Sequence, residues 1–361
     1  MSSNQRNLKS MLDASVTASK PDYRAISADS VEALMSAQSS GTVSIKRESV
    51  RGGGEKAGAS SGIMLFDAEL DGALQALVLR YAPLDNPLRI FADYAIAEQF
   101  ALQDVLCSCG LPVPKPLFVD SNGKHLGLPG YIMEHIDGVV ADGSPYTGGI
   151  IAEASPSRRR ALIEEIFSAL QKTHLVDWQA TGALDFVRNE DGPTPIAGYI
   201  NWFWKTAIWS APADLGRLAK ARDWLLANMP DYHRDDYRLV HGDPGLGNYM
   251  FGADGSVVAI LDWELAGVAH PTYDVVMQCA LNEFFRSAAP PEIAETIPSP
   301  EEWMRHYCEV TGETLVDLDY YRKLVAYSQA VVFLSMNRAL PEGMRVGHAS
   351  MLAPVWQVLE S

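Results

Sequence analysis

The residues best suited to chemistry lie in one short run, His241-Gly242-Asp243-Pro244-Gly245-Leu246-Gly247-Asn248, and in Asp262, fourteen positions after Asn248. An Asp followed five positions later by an Asn, both between short strands, is the spacing of a kinase catalytic loop. In phosphoryl transfer, one carboxylate accepts the proton of the acceptor hydroxyl. An amide oxygen and a second carboxylate hold Mg²⁺ at the nucleotide phosphates. The residue types and their spacing therefore predict phosphoryl transfer.

A predicted β-hairpin explains how Asp262 can reach Asn248. Residues 248–251 and 257–261 have the pattern of short strands, and Asp254-Gly255 supplies a tight turn between them. Taken singly, each of these residues is as readily an ordinary turn or strand-end residue. The ordered set with its connecting hairpin favours a metal site.

Other polar residues near this run are predicted to support it. His241 is expected to be structural rather than catalytic, because Asp243 already supplies a base. Asp274 follows Pro271 at a helix start and is expected to cap that helix and brace the loop. Glu264 either reaches the metal or orients the loop, and the sequence leaves both roles open.

The elements around the run predict an α+β fold with two lobes. Residues 1–41 form an N-terminal arm and a short helix capped by Asp29 or Ser30. Residues 42–135 alternate apolar and polar side chains and predict a small antiparallel sheet with one long helix, 91–109. Residues 136–361 have mainly helical periodicity, with a short β insert around the run.

The run HGDPGLGNYMF, followed by ILDWELAGVAHPTYDV, resembles the aminoglycoside phosphotransferase and choline kinase family. These are small-molecule kinases with a bilobal protein-kinase-like fold. Within the family, the sequence is most similar to the branch related to the phosphotransferase domain fused to some acyl-CoA dehydrogenases. The resemblance extends from about residue 30 to about residue 340 and is carried mainly by this run.

The resemblance assigns roles around the reacting phosphate. Asp243 corresponds to the catalytic base, and Asn248 and Asp262 to the Mg²⁺ ligands. Arg80 stands where the wider family usually has a phosphate-contacting Lys, and its planar fork can hold phosphate oxygens in pairs. Glu98, in the long helix, is expected to pair with Arg80.

The resemblance also implies a site for ATP, or possibly GTP. The glycine-rich segment 52–62 corresponds to the flap over the phosphates, where backbone N–H groups bind anions, with Gly53 and Gly54 at its start. A flexible linker would have the same composition. The hinge between the lobes, whose main chain would meet the adenine edge, corresponds to Met133, Glu134 and His135.

The composition of the chain restricts the classes of partner that it is expected to bind. The 361 residues carry 29 Lys and Arg against 45 Asp and Glu, a net charge of −16, so a nucleic-acid backbone is an unfavourable partner. No apolar stretch is long enough to cross a bilayer and no signal peptide is evident, so we expect a cytoplasmic protein without a membrane partner. Oligomeric state cannot be predicted from the sequence.

The acceptor is expected to be a hydroxyl of a small molecule, although no motif specifies it. An aromatic group in the helical half either packs in the core or lines the acceptor pocket: Tyr199, Trp202, Phe203, Trp204 and Trp209. Two alternatives to a metabolite kinase stay open. One is an antibiotic kinase for aminoglycosides or macrolides, and the other is a nucleotide-binding pseudokinase that acts as an interaction module.

Overall fold

A five-stranded antiparallel sheet forms most of the smaller lobe, as predicted. The computed structural model describes residues 23–53, 60–84, 86, 89–141, 144–338 and 352–361. The strands pair in the order β1-β2-β3-β5-β4. Side chains are buried at every second residue along β2, which is the period that the sequence shows. The strands are β1 Val43–Gly52, β2 Gly62–Leu70, β3 Ala73–Tyr81, β4 Pro116–Asp120 and β5 Gly130–Glu134.

Two helices flank this sheet, α1 Ala28–Gln38 and α2 Ile96–Ser108. The apolar face of α1 packs in a small core against one face of the sheet. Its N-cap is Ser27, whose side chain accepts a hydrogen bond from the Ser30 N–H at 3.1 Å. The predicted caps, Asp29 and Ser30, instead lie in the first turn, because the helix begins two or three residues earlier than those caps imply.

The long helix of this lobe begins later than predicted, at Ile96 rather than residue 91. Ala95 has a left-handed backbone (φ 47°), which cannot continue into a right-handed helix, and the Asp93 side chain accepts from the Ala95 N–H at 2.8 Å. Phe91 is buried and packs 5.8 Å from the ring of Trp202 in the other lobe. The apolar residues before Ile96 therefore connect the lobes instead of extending the helix.

The larger lobe is mainly helical, and within the described residues every helix is too short or too polar to span a membrane. The principal core runs without interruption from the second face of the sheet into this lobe. The helices are α3 Gly149–Ala152, α4 Pro156–His174, α5 Pro195–Ser210, α6 Leu215–Ala227, α7 Thr272–Ala288, α8 Pro291–Ala294, α9 Pro300–Thr311 and α10 Leu318–Asn337.

Two small sheets in the larger lobe position the predicted loop. One has the order β6-β8-β9 and the other pairs β10 with β7. The sequence analysis did not predict β6 or β10, which are too short to show a periodicity. The strands are β6 Val139–Val140, β7 Arg238–Val240, β8 Tyr249–Phe251, β9 Val257–Ile260 and β10 Gly267–Ala269.

Candidate active site

The β8–β9 hairpin brings Asp262 back to Asn248. Tyr249 faces Ile260 across the hairpin, and the Leu261 N–H donates to the Asn248 carbonyl at 2.8 Å. At the turn, Gly255 has a φ of 88°, which favours glycine. The predicted hairpin is present, and it carries Asp262 to the side of the loop that contains Asn248.

Asp243 and Asn248 contact each other directly. The Asn248 amide nitrogen donates to the Asp243 carbonyl at 2.8 Å and to its carboxylate Oδ2 at 3.2 Å. This orientation turns the amide oxygen, the atom that can bind a cation, away from Asp243. Burial raises the pKa of the Asp243 carboxyl, and the Asp262 carboxylate adds to the rise, whereas His241 and the hydrogen bond from Asn248 oppose it.

Buried residues brace this loop from behind. The carboxylate of Asp274 is fully buried and accepts from the His241 N–H at 2.7 Å, the Gly242 N–H at 2.9 Å and His174 Nε2 at 3.0 Å. His241 lies 2.8 Å through Nε2 from the Leu261 carbonyl, so it links the loop to the strand before Asp262. Asp274 therefore braces the loop as predicted, but it does not cap its own helix, which has no side-chain cap.

Arg80 binds two carboxylates of the site, and the predicted pairing with Glu98 is wrong. Its Nη2 lies 2.6 Å from Asp262 Oδ1 and 2.8 Å from Glu264 Oε2. Glu98 is exposed in the first turn of α2. Because Arg80 is buried, it needs partners at close range, and the two carboxylates after β9 supply them.

Glu264 holds Arg80, which favours the orienting role that the sequence left open. Its carboxylate is buried and also accepts a hydrogen bond from the Ser60 side chain at the end of the glycine-rich segment. Burial and the Asp262 carboxylate raise the pKa of Glu264 to about 7, although Arg80 opposes the rise. This carboxyl group thus links the glycine-rich segment, the sheet and the segment after β9.

Gly53 of the predicted flap and the predicted hinge residues lie on the sheet or directly beside it. The Gly53 N–H donates to the Ile63 carbonyl at 3.3 Å, while Gly54 lies outside the described residues. The predicted hinge residues lie in or directly after β5: Met133, Glu134 and His135.

Two N–H groups of the predicted hinge are already used. The Glu134 N–H donates to the Lys115 carbonyl at 2.9 Å, and the His135 N–H donates to the Ala76 carbonyl at 3.1 Å. These two N–H groups are therefore not free to meet the adenine edge, because they already donate to carbonyls of neighbouring residues in the sheet. For them, the expectation of a main-chain contact with adenine is corrected.

Of the aromatic group in α5, three members belong to the core. Tyr199 and Phe203 are fully buried and Trp202 nearly so. The Tyr199 hydroxyl donates to the Leu265 carbonyl at 2.7 Å. Tyr199 therefore supports the segment after Asp262, as does Arg188. Neither residue lies in a motif, so this role was not predicted from the sequence.

The oxygen donors of the site fit Mg²⁺. In the described part of the chain, no three His, Cys, Asp or Glu side chains by themselves form a metal cluster. Asn248 and Asp262 instead offer one amide oxygen and one carboxylate. Mg²⁺ is commonly bound in this way, by one or two protein carboxylates together with substrate phosphates and water.

Comparisons with known proteins show which family this chain is similar to. Residues 70–305 match the model of the phosphotransferase enzyme family. An acyl-CoA dehydrogenase family member 11 from Pongo abelii is 30% identical over 255 residues, covering 67% of this chain but only 31% of that protein. The chain therefore matches less than a third of the length of this relative.

Solved structures show the same fold at low sequence identity. A Ralstonia eutropha protein with the provisional name aminoglycoside phosphotransferase aligns at a TM-score of 0.66 and 22% identity, covering 93% of this chain and 98% of its own. Amicoumacin kinase, solved with AMP-PNP and Ca²⁺, aligns at a TM-score of 0.57 and 16% identity, covering 87% of this chain and 89% of its own. Since the family model covers well over half of the 361 residues, this chain belongs to the phosphotransferase enzyme family.

Proposed function

We propose that this protein is an ATP- and Mg²⁺-dependent kinase that phosphorylates a hydroxyl of a small molecule. The observation that carries the proposal is the contact of Asp243 with Asn248 at the end of a hairpin that returns Asp262 to the same place. These three side chains are partly accessible, whereas the residues that brace them, His241 and Asp274, are buried. An enzyme site requires reacting groups that substrates can reach and that buried neighbours hold in place.

Asp243 is the proposed catalytic base. The acceptor oxygen forms a bond to the γ-phosphorus of ATP while the bond from that phosphorus to the ADP oxygen breaks. The hydroxyl proton passes to the Asp243 carboxylate and later to water. The raised pKa of Asp243 makes its carboxylate a stronger base than an exposed aspartate, which helps it to accept this proton.

Asn248 and Asp262 are the proposed Mg²⁺ ligands, and Arg80 the proposed phosphate contact. When bound, Mg²⁺ neutralises charge that develops on the phosphate oxygens. Arg80 is held by Glu264 and Asp262, so its guanidinium lies beside the metal ligands, where a phosphate could take up its remaining donors. Its Nε is buried and has no hydrogen-bond partner.

The nucleotide is proposed to bind between residues 42–135, as the smaller lobe, and residues 136–361, as the larger one. Gly53 and Gly54 would begin the flap over the phosphates, and the segment Met133–His135 would border the base. The amicoumacin kinase structure contains AMP-PNP, which favours ATP here over GTP. All four cysteines are free thiols, as a cytoplasmic location would favour.

The test combines one variant with an acceptor screen. Asp243→Asn is expected to lower phosphorylation by about 10²–10⁴-fold while leaving the affinity for a non-hydrolysable ATP analogue unchanged. Asp319→Asn is the control, because that side chain is 92% exposed in α10. Equal rates for Asp243→Asn and wild type would defeat the assignment of the base.

The screen identifies the acceptor. Metabolites and antibiotics are incubated with ATP and Mg²⁺, and mass spectrometry detects the gain of one HPO₃ unit. Phosphorylation of aminoglycosides or macrolides alone would make the protein an antibiotic kinase. Nucleotide binding with neither phosphate transfer nor metal-dependent ATP hydrolysis would make it a pseudokinase and overturn the proposal.

A further inference from the structure

Three consecutive backbone carbonyls after Asp262 are each held by a donor from residues 188–199. Arg188 Nε donates to the Glu264 carbonyl at 2.6 Å. The Tyr199 hydroxyl donates to the Leu265 carbonyl at 2.7 Å, and the Arg188 backbone N–H donates to the Ala266 carbonyl at 2.8 Å. Arg188 thus supplies two of the three hydrogen bonds that fix this segment.

The segment needs such support because Asp262 has an unfavourable backbone conformation. Its φ of 64° and ψ of 62° lie in the left-handed region, which Asp adopts more readily than most residues with a Cβ but still at a cost relative to the right-handed region. Residues keep such conformations only where their surroundings hold them. The three fixed carbonyls begin two residues after Asp262, so they determine how its carboxylate is presented.

Arg188 is placed as a rigid support. Its side chain is buried, with the guanidinium 4.7 Å from the ring of Trp202 and 5.8 Å from that of Phe91. Burial lowers the pKa of Arg188, whereas the nearby carboxylates of Glu264, Asp93 and Glu98 oppose that shift. No carboxylate forms a salt bridge with it among the described residues, and its Nη2 is buried without a hydrogen-bond partner.

A buried guanidinium that donates to one backbone carbonyl, with another nitrogen left unpaired, is a costly way to stabilise a fold. It also lies between two parts of the molecule. Phe91 belongs to the connector that precedes α2 in the smaller lobe, while Glu264 and Ala266 belong to the segment of the metal ligand. Its position therefore joins the connector to Asp262.

We infer that Arg188 is a positioning residue of the phosphoryl-transfer site, which holds the Asp262 carboxylate in the orientation that binds the metal. The inference rests on the proposed function, because it takes Asp262 as a metal ligand. Arg188 touches neither the nucleotide nor the acceptor in this role. Its side chain acts through the Glu264 carbonyl, and loss of that side chain removes one of the three hydrogen bonds that hold the segment after Asp262.

The test compares two buried arginines whose side chains both donate hydrogen bonds to backbone carbonyls. Arg188→Met keeps the length of the side chain and removes its donors. Arg159→Met is the matched control, because Arg159 is also buried and donates to three carbonyls, those of Ile151, Ala152 and Ala154, at the start of α4. Both variants are expected to lower the melting temperature, so stability alone does not separate them.

The Mn²⁺ affinity, measured by electron paramagnetic resonance with AMP-PNP present, distinguishes the two variants. Arg188→Met is expected to weaken Mn²⁺ binding by about 10–100-fold, the usual effect of losing a support behind a metal ligand. Arg159→Met is expected to bind Mn²⁺ as wild type does. Equal Mn²⁺ affinities for Arg188→Met and wild type, or an equal loss in both variants, would overturn the inference.

Chemical rescue covers the case in which Arg188→Met does not fold. Methylguanidinium added to Arg188→Ala is expected to restore Mn²⁺ affinity, because the cation can refill the space between Trp202 and Phe91, whereas methylammonium is not. Absence of rescue in folded Arg188→Ala counts against the inference. If wild type itself binds AMP-PNP but no Mn²⁺, the proposed function fails and the inference falls with it. If wild type binds both and Arg188→Met is unaffected, only the inference fails.

Discussion

Replacing Asp274 by Asn tests whether the brace behind the loop matters for catalysis separately from stability. One carboxylate oxygen of Asp274 accepts from the His241 N–H and His174 Nε2, and the other accepts from the Gly242 N–H. An asparagine keeps only one acceptor oxygen. In its better orientation it satisfies the first pair of donors and places its NH₂ group against the Gly242 N–H.

The magnitude follows from that single lost bond. A buried donor left without a partner costs about 1–3 kcal/mol, so Asp274→Asn is expected to destabilise the protein by that amount. The Gly242 N–H immediately precedes Asp243, and a misplaced base can cost about 10²-fold in rate. We therefore expect metal-dependent phosphoryl transfer to fall about 10²-fold in folded Asp274→Asn.

Asp120→Asn is the matched control. Asp120 is also buried, and one of its oxygens accepts from the N–H groups of His125 and Leu126 while the other accepts from that of Lys124. Its substitution therefore removes an equivalent bond, but in a turn between β4 and β5. Thermal melts and ADP release are measured for both variants. Turnover that falls equally in the two, or that stays at the wild-type rate in Asp274→Asn, would refute the bracing role.

Three further predictions concern the same site. Glu264→Ala leaves one N–H of buried Arg80 without its acceptor and is expected to cost about 1–3 kcal/mol in a denaturant titration. Exposed Glu98→Ala is expected to leave stability nearly unchanged, and the reverse order would restore the pairing predicted from sequence. Gly242→Ala places a Cβ 2.0 Å from a backbone carbonyl oxygen, whereas Gly72→Ala meets nothing within 4 Å, although both have positive φ. We expect Gly242→Ala to unfold at lower temperature than Gly72→Ala, and equal melting temperatures would contradict this. Chelation by EDTA is expected to abolish ATP turnover, and Mg²⁺ to restore it; turnover that survives EDTA would contradict the metal assignment.

The sequence was informative about elements with a strong period. The strands around Ile63–Leu70 and Leu74–Tyr81 appear within a residue of their predicted bounds, because alternation of apolar and polar residues directly reflects which side chains face the core. The start of α2 was predicted too early because Phe91 fits a helical period while it serves another purpose, packing against Trp202. The spacing of apolar residues indicates which side chains are buried, but it does not indicate which neighbours bury them.

The chemical set was also readable from the sequence, and so was the bracing role of Asp274, whereas the contacts of Arg188 and Arg80 were not. Asp243, Asn248 and Asp262 stand at a spacing that one hairpin converts into proximity, so local geometry was enough to group them. The partner of Arg80 depends instead on how the segment after β9 meets the sheet. Arg80 pairs at 2.6 Å with Asp262, which is far away in sequence. It does not pair with Glu98, the partner that the resemblance suggested.

By itself, the sequence determined the two-lobed α+β architecture and grouped the three candidate site residues, Asp243, Asn248 and Asp262, because both depend on short-range pattern and spacing. Only the tertiary structure decided that Arg188 holds the Glu264 carbonyl and that Glu264 holds Arg80. Such contacts join residues with no fixed separation along the chain. They form because a buried polar group must find a partner wherever packing brings one within reach.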